Sequence, residues 1–289
     1  LMAAEYLGIR PRFIEGTMTG GSSFVNYLTS AALALEAGLC DVALIAYGSN
    51  QRTAAGRLVT ASRLPSWEAP FAPRYPISGY AMAAARHMHE YGTTREQLAE
   101  VAVAARAWAR HNPEAFMRAE LTRDQVLAAR MVSDPLTTLD CCLVTDGGGA
   151  IVMVRSVRAR DFPHPPVHVL AAAADSTHRQ ISQMADFTTT AARETGRRAF
   201  AAAGVGPADI DVVELYDAFT INTILFLEDL GFCAKGEGGA FVEGGRIAPG
   251  GALPVNTNGG GLSCVHPGMY GIFTVIEAAR QIRGDAPGM

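Results

Sequence analysis

The stretch Val255–Gly271, VNTNGGGLSCVHPGMYG, sets one histidine between a run of glycines and a tyrosine flanked by glycine, and it narrows the possible folds more than any other part of the chain. Glycine permits positive φ and close approach of backbone to a ligand. Pro267 fixes φ directly behind His266 and limits the drift of the imidazole. Such a loop can hold a catalytic histidine against a substrate. Glycine clusters also mark plain surface turns, so the segment needs a partner elsewhere in the chain before it implies a site.

That partner is Val212–Glu228, VVELYDAFTINTILFLE. An apolar run at Ile210–Leu215 is followed by the polar pair Tyr216 and Asp217, then by helix-period residues Phe219, Ile221, Ile224, Leu225 and Leu227. The pair therefore falls at a strand-to-helix junction, where α/β folds collect their active sites. Asp217 has two readings, as an N-cap for the following helix or as a chemical group. Tyr216 has no role as a cap.

The composition suits an enzyme and excludes other classes. The chain has 289 residues, 49% hydrophobic and 18% charged, with 30 glycines, enough for a large core of closely packed helices and sheet. A net charge of −4 with no Lys/Arg cluster offers no footprint for nucleic acid or an anionic membrane. No apolar run reaches the length of about 18 residues that spans a bilayer. Five cysteines without pattern suit a reducing, cytoplasmic setting. Cys40, Cys141, Cys142 and Cys233 read as small core residues, whereas Cys264, two residues before His266, either lines the same cavity or packs inward. Zinc spacing such as Cys-x-x-Cys is absent.

Organisation reads as two similar halves, 1–157 and 165–289, with the seam at the Pro-rich Phe162–Val167. In the first, a helix is expected at Ser22–Ala37 and strands at Val42–Tyr47 and Ala150–Val154. In the second, strands are expected at Val167–Ala172 and Ile210–Leu215, with helices at Thr188–Ala203, Phe219–Leu230 and Ile272–Ile282. Between lies an excursion of about residues 56–133, whose Tyr80–Tyr91 and Thr94–Ala109 are alanine-rich and helix-periodic. His87 and His89 belong to its first helix and read as surface or packing residues, since residues two apart cannot share a helix face.

Four segments, taken in order, resemble the thiolase superfamily, and within it the lipid-transfer or sterol-carrier type. Gly20–Asn50 resembles the family's nucleophile helix and following strand. Pro135–Val154 resembles its Asp-Gly turn and closing strand. ELYDAF (Glu214–Phe219) falls where the family carries an Asn-Glu-Ala-Phe or His-Asp-Cys-Phe type motif, and HPGMYG (His266–Gly271) where it carries Gly-His-Pro. The resemblance implies an α/β fold of the duplicated five-layer α-β-α-β-α kind, with the excursion as an inserted loop domain over the active site. It also implies a leading strand and helix before the segment Leu1–Gly8, and a closing strand pair with a second glycine-rich loop following about Arg283–Gly284.

The departures from the family carry the functional reading. Counting back from Gly38, the family's nucleophilic cysteine falls on Gly21, with Ser22 and Ser23 just after it, or on Met18 if the loop is offset by a turn. Glycine and methionine form no acyl-enzyme. Ser22 and Ser23 read as helix-start residues or as a substitute nucleophile with His266 as base. What the resemblance leaves in place is stabilisation of a thioester enolate, the intermediate that retro-aldol cleavage of a β-hydroxyacyl-CoA also requires.

Two tyrosines stand where thiolases have none, Tyr216 in the motif and Tyr270 after the His-Pro pair. A phenol titrates at about 10, so its use as a base needs a relay through His266 or Asp217. The pattern is similar to actinobacterial steroid side-chain aldolases, which split a 17-hydroxy steroid acyl-CoA into a 17-ketosteroid and propionyl-CoA. The resemblance implies Tyr216, Tyr270, His266 and Asp217 as catalytic, and Gly21, Ser22, Ser23, Gly260, Gly261 and Cys264 as substrate-binding. It implies no cofactor beyond the CoA of the substrate. The partners implied are a homodimer mate and a small OB-fold and zinc-ribbon protein, with or without an acyl-CoA hydratase. Two alternatives stay open: a thiolase with a displaced nucleophile at Cys264 or Ser22, and a catalytically silent subunit of a hetero-oligomer.

Overall fold

Apolar residues spaced along two helices converge on one short β-ribbon in the computed structural model, which describes residues 2–54 and 64–287. After the short helix α1 (Met2–Tyr6), helix α2 (Ser23–Glu36) buries Phe24, Leu28, Ala31 and Leu35, and the chain turns at Gly38 with φ of 70° into strand β1 (Val42–Ser49). A side chain there would strain the turn.

The excursion, whose expected start at about Gly56 falls within residues 55–63, outside the described part, is described from residue 64 onward. It continues as α3 (Ile77–Tyr91), α4 (Arg95–His111), α5 (Arg123–Ala128) and a hairpin of β2 (Met131–Ser133) with β3 (Leu136–Thr137). α4 starts at a capping box. Thr94 Oγ1 accepts the Gln97 N–H while Gln97 Oε1 accepts that of Thr94, and Thr122 with Gln125 repeats the device at α5.

β4 (Gly147–Val154) pairs antiparallel with β1, Val42 opposite Val154 and Ser49 opposite Gly147. One face of this ribbon, with Ile45, Tyr47, Ile151 and Met153, packs on Phe24 and Leu28 of α2 and on Ile272, Phe273 and Ile276 of α9 (Gly271–Arg283). The larger core joins α3 and α4 to α7 (Thr220–Asp229), with α6 (Ala192–Ala203) and α8 (Gly238–Phe241) beside it. α7 is buried around nearly its whole circumference, so its polar Asn222 and Thr223 lie inside together with its apolar residues.

Buried charge fastens the excursion to this core. His87 is fully buried, its Nδ1 2.7 Å from Thr93 Oγ1 and its Nε2 3.0 Å from both oxygens of Glu228. Lys235 Nζ lies 3.1 Å from Glu228 Oε2 and 2.7 Å from Asp229 Oδ1. His87 is thus a packing residue, as its position in the sequence suggests.

Three expected elements differ. Val167–Ala172 forms no strand, because no other strand among the described residues offers it a ladder. Ile210–Leu215 is reduced to one parallel bridge, Val213 to Val255. The helix expected from Thr188 starts at Ala192, because Asp186 accepts the Thr188 N–H and Asp229 the Thr190 N–H, which turns the chain before the helix begins.

One extended segment, Asp140–Thr145, links the two site-bearing stretches. Cys142 N–H donates to Ala218 C=O (2.8 Å), Leu143 N–H to Gly261 C=O (2.9 Å) and Thr145 N–H to His266 C=O (3.3 Å). Asp140 anchors it: one carboxylate oxygen accepts the N–H and hydroxyl of Thr137 at 2.8 and 2.7 Å, and the other accepts the Thr220 hydroxyl at 2.9 Å. Asp140→Ala strands these buried donors and is expected to cost about 1–3 kcal/mol for each one left unmade. Urea denaturation measures the loss, and an unchanged midpoint would show the anchor to be dispensable.

Candidate active site

The strand-like segment ending at Leu215 is held parallel to the approach of the glycine loop. Val213 N–H donates to Pro254 C=O (3.0 Å), Asn256 N–H to Val213 C=O (2.9 Å), and Leu215 N–H to Asn256 Oδ1 (2.7 Å). This pairing carries Tyr216 and His266, 50 positions apart in sequence, to one point. Tyr216 Oη lies 3.1 Å from His266 Nε2 and accepts the backbone N–H of Tyr270 at 3.0 Å. The Tyr216 ring stands edge-on to both His266 and Tyr270, with centroids 5.7 Å apart in each pair.

The protonation states follow from burial. It pushes the His266 imidazole down to about 4, so the ring is neutral near pH 7. With its proton on Nδ1, the ring leaves Nε2 to accept the Tyr216 O–H. Burial also raises the Tyr216 phenol well above its ordinary range, against the Tyr270 N–H, which favours the phenolate. A protonated phenol hydrogen-bonded to a neutral imidazole is an arrangement along which a proton can pass. The loop that carries the ring is fixed at both sides: His266 N–H donates to Thr145 Oγ1 (3.0 Å) and Tyr47 Oη donates to Pro267 C=O (2.5 Å).

Tyr270 is fully buried, and its phenol is engaged elsewhere. Its O–H donates to Asn258 Oδ1 at 2.9 Å, and the same oxygen accepts the Gly260 N–H at 2.7 Å. Tyr270 therefore reaches the Tyr216 oxygen through its backbone and holds its own hydroxyl in reserve.

Asp217 caps a different turn from the one its sequence position suggests. Helix α7 begins at Phe219 without any side-chain cap. The Asp217 carboxylate instead accepts Gly261 N–H (2.6 Å) and Leu262 N–H (3.3 Å), closing the π-helical turn Gly260–Cys264. The contact requires glycine: Gly260 has φ of +65°, and a Cβ there would stand 2.0 Å from Asp217 Oδ2. Burial raises the carboxyl to about 7 against these two N–H donors. Glu214, which accepts the Thr257 N–H (3.0 Å) and hydroxyl (2.7 Å), is raised to about 8, first by burial and then by the nearby Glu277 and Asp217.

Gly21 joins this centre by what it lacks. A Cβ at Gly21 would lie 2.0 Å from Tyr216 Cε2 and 2.1 Å from its Oη. The two serines after it close the turn into α2: Ser22 Oγ donates to Thr19 C=O (3.0 Å), and Ser23 Oγ donates to Gly20 C=O (2.7 Å) while accepting the Thr19 N–H. Neither hydroxyl is hydrogen-bonded to an imidazole, so the serine–histidine alternative has no hydrogen bond between its members. Cys264 also stands apart. It is buried, receives Asn112 Nδ2 at 3.5 Å, and its thiol is pushed by burial to about 12. It borders a cavity of about 480 Å³ whose lining includes neither Tyr216 nor His266.

Other contributors gave little or no signal in the sequence. Asn258 sits inside the glycine motif, where asparagine is an ordinary turn residue. Tyr80 comes from α3 and stacks on Phe219 with centroids 4.4 Å apart. Arg106 of α4 is buried and donates from Nε to Ser263 Oγ (2.9 Å), bracing the π-helical turn from behind. Among the described residues no group of three or more His, Cys, Asp or Glu side chains is placed to hold a metal.

The raised carboxyls set the pH response of stability. For Asp217 the stabilising contribution is complete below its unfolded value of about 4 and is lost as pH rises through about 7, and for Glu214 it is lost as pH rises through about 8. The depressed His266 acts in the opposite sense below its unfolded value of about 6.5, so the melting temperature is expected to fall as pH is raised from 6.5 to 8.5. Asp217→Asn and Glu214→Gln should each flatten that slope, and parallel slopes in all three proteins would contradict the assignment.

Comparison with known proteins identifies the family. Residues 173–289 match the family described as thiolase C-terminal domain-like. Acetyl-CoA acetyltransferase of Methanothermobacter thermautotrophicus is 39% identical across 99% of this chain and 75% of its own length. A steroid side-chain-cleaving aldolase of Thermomonospora curvata is 36% identical across 95% of this chain and 74% of its own. The solved structure titled Ltp2-ChsH2(DUF35) aldolase superposes with a TM-score of 0.89 at 32% identity, covering 99% of this chain and 76% of that one. The chain belongs to the thiolase superfamily and has its α/β fold.

Proposed function

We propose that this chain is a retro-aldol carbon–carbon lyase acting on a β-hydroxyacyl-CoA, with a 17-hydroxy steroid side-chain thioester as substrate and a 17-ketosteroid and propionyl-CoA as products. The observation that carries the reading is the Tyr216 phenol, which takes up the space of a side chain at Gly21 and rests against His266 Nε2.

In the proposed reaction the Tyr216 oxygen removes the proton of the substrate β-hydroxyl as its own proton moves to His266. The Cα–Cβ bond breaks, its electron pair passes into the thioester as an enolate, and the β-carbon leaves as a ketone. The α-carbon is then reprotonated. The proton held on His266 balances this step, delivered through Tyr216 or by way of the Tyr270 phenol once Asn258 releases it. The Tyr270 N–H steadies the negative charge that builds on the Tyr216 oxygen during the transfer. No covalent enzyme intermediate is needed.

The aldolase names of two relatives support this reading, and the acetyltransferase name of another supports acyl transfer. Acyl transfer requires a thiolate or an activated hydroxyl. Cys264 is held as a buried thiol and Ser22 is bonded to a carbonyl, which weighs against it. We further propose a heteromeric assembly with an OB-fold and zinc-ribbon protein, in line with the two-component title of the structural relative, with or without an acyl-CoA hydratase, and a homodimer of this chain at its centre.

The test is incubation with a 17-hydroxy steroid acyl-CoA, with and without the OB-fold partner, following propionyl-CoA and the intact protein by mass spectrometry. Propionyl-CoA should form with no protein adduct. Tyr216→Phe should lower the rate by about 10²–10⁴-fold, the contribution of a positioned acid–base group. An adduct on Cys264 or Ser22 would favour acyl transfer, and neither product nor adduct would favour a silent subunit.

A further inference from the structure

We infer that Gly21 determines which reaction this site performs, because the volume of its missing side chain is the seat of the Tyr216 phenol. The inference rests on the retro-aldol reading for its chemistry, but the steric relation stands without it. A Cβ at position 21 would fall 2.0, 2.1 and 2.3 Å from Tyr216 Cε2, Oη and Cζ, all well inside contact distance. The ring has little freedom to give way. It stands edge-on to His266 and Tyr270, and its oxygen is held by the Tyr270 N–H and lies 3.1 Å from His266 Nε2. On the other side the backbone at 21 is also confined, since a Cβ on Gly271 would lie 2.3 Å from the Gly21 carbonyl oxygen.

A side chain at 21 and a phenol at 216 therefore exclude one another. Whichever is present occupies the same point, two residues before the N-terminus of the 14-residue helix α2 and within reach of His266 Nε2. With the phenol there, the site holds a proton-transfer group. With a thiol there and the ring removed, the site would hold a nucleophile beside a base and near a helix N-terminus, both of which favour a thiolate. In that case the sulfur attacks the thioester carbonyl carbon and the bond from carbon to CoA sulfur breaks. The thiol proton passes to His266 and then to the departing CoA thiolate, leaving an S-acyl protein and free CoA with no change of oxidation state.

The experiment has a structural arm and a chemical arm. In the structural arm, Gly21→Ala is made alone and in a Tyr216→Ala background. The melting temperature should drop by several degrees in the first case and change little in the second, and equal drops in both would overturn the shared seat whether or not the protein is an aldolase. Gly21→Ala should also lose about 100-fold in carbon–carbon cleavage, as expected when a reacting group is displaced by an ångström or more. In the chemical arm, the double variant Gly21→Cys/Tyr216→Ala is mixed with acetyl-CoA. Intact mass should show one acetyl group that Gly21→Cys alone does not gain, together with release of CoA. Absence of that adduct in a folded double variant would overturn the claim that position 21 sets the reaction. Gly21→Ser/Tyr216→Ala serves as the control, with the thiol gone and the cavity kept.

Discussion

The Asp217 carboxylate is the contact on which the rest of the site depends. It belongs to the segment leaving the strand, yet both of its oxygens bind backbone N–H groups of the glycine turn more than forty residues later. A charge-bearing acceptor placed in apolar surroundings is costly unless donors meet it, and those two amides meet it. The requirement acts in both directions. The carboxylate needs the turn, and the turn, having a π-helical pitch that leaves amides free, needs the carboxylate. Tyr216, next to Asp217, and His266, just beyond the turn, are brought together as a result.

That convergence explains what was legible in the chain before its folding was known. The glycines around His266 and the polar pair at the end of an apolar run each stand out locally, and family resemblance ordered them. Helices α2, α3, α4, α7 and α9 were readable within a few residues because their apolar spacing repeats at a helical period. Strands were readable only where a ladder exists. β1 and β4 have each other, but Val167–Ala172 has the composition of a strand and no partner among the described residues. A strand is a relation between segments, and a local pattern carries only half of it.

Site roles were less legible than site positions. Asp217 looks like a helix cap because caps are local, whereas the donors it actually meets belong to a turn set by the tertiary fold. Tyr216 and Tyr270 look equivalent as unusual phenols near one histidine. Their difference rests on Asn258, whose single oxygen holds the Tyr270 hydroxyl and the Gly260 N–H together. Nothing in the spacing VNTNGGG distinguishes that duty from an ordinary turn asparagine. Cys264 lies two residues from His266 in sequence but borders another cavity, because the end of the π-helical turn redirects the chain between them.

The fastening of the excursion bears on how molecules come and go. His87 of α3 is locked to Glu228 of α7, Lys235 closes over the same carboxylate, and Arg106 of α4 grips the turn that carries the site. Breaking one member of a buried ionic set costs about 3–5 kcal/mol, since the charge left behind has no water to turn to. Swinging these helices away in every turnover would incur that cost each time. α3 and α4 are thus fixed walls of the site, and any movement that admits a ligand falls to segments that carry no such buried charge.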